Sequence, residues 1–156
     1  MPKVSQQQAQ LTRQRIIDCA LEILLSQGVS ALTFTNLANK AAIGRSSINA
    51  HFKKKDDLLA ELRPQISIII RDALCFDNPD VFYDSWVSAI KSNHQFRQAI
   101  DNAKWFVDTD TGIERLIASF KSGTREEIEK TIYTAMGYAL VNLPKYQSIS
   151  APTEEL

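Results

Sequence analysis

Between residues 45 and 55 the chain reads RSSINAHFKKK, a run whose side chains suit hydrogen bonding to nucleic acid. Arg45 can bridge guanine O6 and N7, Asn49 can bridge adenine N6 and N7, Ser46 and Ser47 can bond either, and Ala50 can meet a thymine methyl. Lys53, Lys54 and Lys55 follow as cations suited to phosphate, a contact that sets register and affinity without reading bases. Little else in the sequence offers chemistry. His51 and His94 are the only histidines, and no nucleophile or carboxylate pattern accompanies either. There is no G-x-S-x-G, no metal-ligand pair and no phosphate-binding glycine loop. Cys19 and Cys75 are too few and too far apart for a disulfide framework, and in apolar helical contexts they read as small core residues. The chain is therefore expected to be no enzyme and to need no cofactor or metal.

For RSSINAHFKKK to reach base edges it must form the outward face of a short helix held at a steep angle by a tight turn. The flanking pattern supplies those parts. Ile16, Ile17, Ala20, Leu21, Ile23 and Leu24 recur with helical spacing, predicting a first helix over 11–27 with Gly28 as a left-handed cap. Thr33 and Thr35 can cap a second helix whose apolar face is Leu37, Ala38 and Ala41. Ile43 and Gly44 break the pattern. A third helix over 45–52 would then turn Ile48 and Phe52 inward and Arg45, Ser46, Ser47, Asn49 and Ala50 outward. Asp56 and Asp57 suit the positive end of a fourth helix.

Bulk properties agree with a divided molecule. The 156 residues carry 18 basic and 18 acidic groups, but not evenly. Residues 1–55 hold eight basic groups less two acidic, giving +6, and residues 56–156 hold ten less sixteen, giving −6. That split predicts a nucleic-acid-facing domain over 1–55 and a second domain over 56–156 held away from nucleic acid. Hydrophobic content of 44% with five glycines and five prolines predicts an all-α fold. No apolar run is long enough to span a bilayer and the start MPKVSQQQAQ lacks a secretory pattern, so no membrane partner and a cytoplasmic location are expected.

The second domain reads as further helices. Pro64 should kink or split the fourth, Asn78-Pro79 should open a fifth, and another should cover 95–107. Thr111 with Glu114 and Thr124 with Glu127 both have capping-box spacing, and a last helix over 124–143 should stop at Pro144. Its stripe of Ile128, Ile132, Ala135, Met136, Ala139, Leu140 and Leu143 has two readings, packing within its own domain or pairing with a second copy in a helical bundle.

The order and spacing of "ALEILLSQG" at 20–28, "TFTNLANKAAI" at 33–43 and "HFKKKDDLL" at 51–59 resembles the TetR family of bacterial transcriptional regulators, over roughly residues 12–60. The resemblance implies an all-α architecture: a three-helix helix-turn-helix DNA-binding domain followed by a helical dimerisation and ligand domain, here shortened. It implies a homodimer that represses by occupying a palindromic operator on double-stranded DNA. By family position Arg45, Ser46, Ser47, Asn49 and Ala50 would face bases, while Thr33, His51 and Lys55 would hold phosphates. Phe82, Trp86, Phe96, Trp105, Phe106, Tyr133 and Tyr138 would line a small-molecule effector pocket, against the alternative that aromatics at helical spacing form core. The stripe on the last helix would be the dimer interface. Two departures stand out: Asn49 and Ala50 replace the usual aromatics, and Ala42 replaces a turn glycine whose role Gly44 could assume. The competing reading is a ligand- or protein-binding helical module with a degenerate DNA-binding domain.

Overall fold

The computed structural model describes residues 2–103 and 109–147. The described residues form eight α-helices and no strands: α1 (Pro2–Gln27), α2 (Phe34–Ala41), α3 (Arg45–His51), α4 (Lys55–Asp72), α5 (Pro79–Ser92), α6 (His94–Asn102), α7 (Thr109–Ser119) and α8 (Arg125–Gln147), with a 3₁₀ turn at Val29–Ala31 after α1. The chain divides into two compact units, Met1–Ile66 and Ser67–Leu156.

In the first unit, Ile16, Ala20, Leu24, Leu32, Leu37, Ala41, Ile48, Leu58 and Leu62 are fully buried, and Phe52 is 1% exposed. The apolar faces of α1 to α4 thus share one core. Gly28 has φ 87 but ψ 173, so it uses glycine's positive-φ freedom outside the left-handed helical region expected of it. Thr33 caps α2, its side-chain oxygen accepting from the Asn36 N–H at 3.1 Å, while Thr35 lies inside the helix. At the other end of α2 the backbone N–H of Ile43 bonds Ala38 O and that of Ala42 bonds Asn39 O, a Schellman closure. The left-handed residue in it is Ala42, at φ 55 and ψ 43, and Gly44 is ordinary extended backbone at φ −70 and ψ 148. The strain expected to move to Gly44 therefore stays on an alanine.

The second unit is built on the pairing of α5 with α8, its most extensive helix contact. Asn78 caps α5 by accepting from the Val81 N–H at 3.0 Å, with Pro79 in the first turn, where its missing N–H costs nothing. Asn93 caps α6 in the same way through the Phe96 N–H. Thr124 and Glu127 form a reciprocal capping box, Thr124 N–H to Glu127 Oε2 at 2.9 Å and Glu127 N–H to Thr124 Oγ1 at 3.2 Å. Thr111 does not cap: α7 has already begun at Thr109. The two connections that flank α5 and α8 are tied together, since Lys121 N–H bonds Phe76 O and Lys121 Nζ pairs with Asp77 at 2.8 Å. Lys121 holds the Asp77 carboxyl below its ordinary range, first by the hydrogen bond, with a further lowering from Cys75.

Neither proline ends its helix: Pro64 does not split α4 and Pro144 does not stop α8. α4 is continuous through Pro64, and α8 passes Pro144 to end at Gln147. Each proline is exposed and is followed or preceded by buried apolar anchors, Leu62 and Ile66 in α4 and Leu143 in α8, which hold the helix across the missing hydrogen bond.

A left-handed alanine costs about 1–2 kcal/mol, and glycine gives back part of that relief as extra unfolded-state entropy. Ala42→Gly is expected to raise unfolding stability by about 0.5–1 kcal/mol, seen as a higher urea midpoint at unchanged m value. A lower midpoint would show that Ala42 is not under strain.

Candidate nucleic-acid interface

The helix that presents the candidate reading face is only seven residues long. Gly44 O accepts from the N–H groups of Ser47 and Ile48, starting the helix, and the Phe52 N–H closes it onto Ile48 O at 2.8 Å. Ile48 and Phe52 anchor its inner side. Arg45, Ser46, Asn49 and Ala50 are exposed and Ser47 and His51 half-buried, so the outward set stands on one solvent face as the pattern requires.

Arg13, which no spacing singles out, clasps the far end of α3. Its guanidinium lies 4.4 Å over the Phe52 ring, Nη1 donates to the His51 carbonyl at 3.3 Å and Nη2 pairs with Glu61 at 2.7 Å. Each contact is modest for a partly exposed group, about 0.5–1 kcal/mol. Together they fix where α3 ends relative to α1 and α4. Arg13's partners lie 38 and 48 residues away in sequence, so only the fold brings them together.

The phosphate candidates are not equivalent. Thr33 is exposed, and its cap uses an acceptor lone pair, leaving the hydroxyl hydrogen for a phosphate. Lys53 and Lys54 are exposed. Lys55 is half-buried and its Nζ donates to the Val29 carbonyl at 2.7 Å, tying the start of α4 to the turn after α1. Two ammonium hydrogens remain on Lys55, so it joins a structural role to any contact with phosphate. Lys40 pairs with Glu22 at 3.0 Å. Residues 1–66 hold nine basic groups less five acidic, giving +4, and the cations left outward beside α3 are Arg45, Lys53 and Lys54.

Among the described residues, the aromatic side chains expected around an effector pack into the core or against one another, or lie on the surface. Phe82, Trp86 and Phe96 are buried against one another, with ring centroids 6.0 Å apart for Phe82 and Trp86 and 5.2 Å for Trp86 and Phe96. Tyr138 packs edge-on to Tyr83, and Tyr133 is 56% exposed on α8. Trp105 and Phe106 lie outside the described residues. The stripe on α8 is divided as well: Ile128, Ile132, Ala135, Ala139 and Leu143 are buried in the core of their own unit, whereas Met136 and Leu140 are exposed. Tyr133 and Val141 join them on that outer face, where a side chain added at Gly137 would meet nothing. Among the described residues no cluster of His, Cys, Asp or Glu could hold a metal, and no helix is long and apolar enough to cross a membrane.

Comparison with known proteins agrees with this geometry. Residues 16–62 match the family model of the bacterial regulatory proteins of the tetR family. The chain is 42% identical over 62 residues to the HTH-type transcriptional regulator AcrR of Shigella flexneri, a match covering 40% of this chain and 29% of that protein. It is 34% identical over 106 residues to the tetracycline repressor protein class D of Escherichia coli, covering 65% of this chain and 47% of the repressor. The chain thus spans less than half the length of these curated relatives. Among solved structures it is similar to NalD, the secondary repressor of the MexAB-OprM multidrug efflux pump in Pseudomonas aeruginosa, at 17% identity and a TM-score of 0.53 over 90% of this chain and 88% of that one. That likeness is one of fold.

The tether from Lys55 separates it from its neighbours. Lys55→Ala is expected to lower stability by about 1 kcal/mol, a charge-assisted bond in a partly exposed site. Lys53→Ala should stay within about 0.5 kcal/mol of the parent chain. Equal denaturant midpoints for the two variants would remove Lys55's structural role.

Proposed function

We propose that this chain, a member of the TetR family by its amino-terminal unit, is a dimeric, sequence-specific DNA-binding transcriptional regulator that represses by occupying a palindromic operator. The observation that carries the reading is α3: a short helix with its apolar side locked into the core and Arg45, Ser46, Asn49 and Ala50 exposed on the other. Arg45 and Asn49 supply the bidentate base contacts, Ser46, Ser47 and Ala50 the smaller ones, and Thr33, His51 and Lys55 the phosphate contacts. Occupying DNA needs no catalytic group, and the relatives named above are regulators rather than enzymes. The cytoplasm, where the DNA lies, is the compartment this role requires.

Two copies would set two α3 helices about 34–36 Å apart, one turn of B-DNA. The exposed apolar face of α8, with Tyr133, Met136, Leu140 and Val141, is the surface we assign to the second copy. An effector would have to open its own space among Phe82, Trp86 and Phe96. Trp86 Nε1, buried without a partner, offers such a molecule one hydrogen-bond donor.

Selection of genomic fragments by the purified chain at near-physiological salt, followed by sequencing, is expected to return a shared palindrome. Fragments without a common sequence, from folded protein, would favour instead a module that binds a ligand or a protein, with Asn49 and Ala50 marking a lost reading face. On the recovered site, Arg45→Ala is expected to relax preference at one base position at a cost of about 1–3 kcal/mol. Lys54→Ala should weaken all sequences alike and reduce the salt slope by about 0.9. Identical effects of both on cognate and random DNA would refute that division. Leu140→Glu is expected to yield monomers in sedimentation without loss of helix content, because the position is 78% exposed. A dimer unchanged by that substitution would place the interface elsewhere.

A further inference from the structure

The glutamine cluster at the start of the chain has no part in the reading face described so far, yet the fold sets it beside that face. The amino-terminal turns of α1 and the outer side of α3 bound a groove of about 560 Å³. Ser5, Gln8 and Thr12 line it from α1, and Ser47, Ala50 and His51 from α3. The lining contains no carboxylate. It offers two serine hydroxyls, an amide and an imidazole able to donate to an anionic oxygen. Thr12 Oγ1 is bonded to Gln8 O along the helix, while the Gln8 side chain is exposed.

The position of the groove selects its occupant. An α-helix with side chains is about 10–12 Å across and the major groove of B-DNA about 12 Å wide, so a helix seated there has a sugar-phosphate strand along each flank. Ser47 and Ala50 belong to the reading face and also to the groove wall. A strand bordering the bases read by α3 would therefore run into the space between α3 and α1. Alanines at positions 9 and 50 keep the walls low enough for a backbone to enter.

We infer that this groove binds one strand of the operator through its phosphates, with Gln8 as the principal donor and Ser5 beside it. The inference rests on the DNA-binding reading above and extends the interface from α2 and α3 to the start of α1. Its donors from α1 are neutral. That separates them from the lysines after α3, because a neutral donor displaces no condensed counterion and leaves the salt dependence of binding untouched.

The test is binding of the full-length chain and two variants, Gln8→Ala and Gln8→Glu, to the duplex recovered by genomic selection, across a range of salt concentrations. Gln8→Ala is expected to lose roughly three- to tenfold in affinity, about the net worth of one solvent-exposed hydrogen bond, with an unchanged slope of log K against log salt. Gln8→Glu should lose more than tenfold at low salt, with the deficit shrinking as screening grows. Since Gln8 is exposed, both variants should retain the parent unfolding midpoint. Affinities within twofold of the parent for both variants would overturn the groove as a DNA site. So would a Gln8→Ala loss accompanied by a lower unfolding midpoint, which would mark Gln8 as structural. Failure of the parent chain to select any common sequence would instead overturn the regulator reading itself, and is seen before either variant is made.

Discussion

A helix of seven residues cannot hold itself together in water, because nucleation is costly and isolated helices shorter than about 12–15 residues are marginal. α3 is such a helix, and it carries every side chain assigned to base contact. Its existence depends on Ile48 and Phe52, both buried, and on ends fixed by other elements. The turn before it is closed by the Schellman bonds from Ala42 and Ile43, and the residue after it is covered by Arg13. The rest of the first unit can be understood as what this requirement demands. α1 supplies the apolar floor and the arginine, α2 sets the entry angle, and α4 supplies Glu61 to balance Arg13 and Lys55 to bind the turn after α1.

The second unit solves a different problem. Aromatic packing runs from Phe120 through Phe82 and Trp86 to Phe96, with α5 contributing the central pair. These side chains fill the interior rather than surround a space. An indole N–H left without a partner in such a core forgoes a bond to water, a cost of about 1–3 kcal/mol. Natural cores rarely keep such a donor without compensation. Among the described residues the other buried polar side chain is Asn102, whose amide bonds Gln98 O on its own helix.

What was legible in the sequence was what depends on neighbours along the chain. The helices around residues 16–24, 37–41 and 45–51 follow apolar spacing, and the caps at Thr33, Asn78 and Thr124 follow side chains that reach three residues forward. Where such rules fail here, a tertiary contact or prior helix has intervened. Thr111 and Glu114 have the spacing of Thr124 and Glu127, but their helix starts two residues earlier. Pro64 should kink or split its helix and Pro144 should stop one, but α4 stays unsplit between buried Leu62 and Ile66, and α8 continues past Pro144 beyond buried Leu143. Arg13, the tether from Lys55 to Val29 and the groove beside Gln8 escaped notice for the opposite reason. Their significance comes from groups 26 to 48 residues away or from a groove between two helices, neither of which spacing reveals.

The stripe on α8 shows how a period of 3.6 can hide two surfaces in one sequence pattern. Ile128, Ile132, Ala135, Ala139 and Leu143 descend one side and are consumed by α5 and the core. Tyr133, Met136, Leu140 and Val141 descend the other side and remain in solvent. Exposed large apolar side chains grouped on one helix mark an interaction surface more often than a stray excess of hydrophobicity. In the proposed dimer, a second copy of the same chain would cover them at no further cost in sequence, because a two-fold interface is self-complementary. The DNA-reading face supplies the reason for such a pairing. One seven-residue helix offers few bidentate contacts, each worth about 1–3 kcal/mol of discrimination, so a single copy reads too little sequence to find a site among many. In the proposed dimer, doubling the number of reading helices would double that discrimination, with the apolar outer face of α8 as the surface assigned to the pairing.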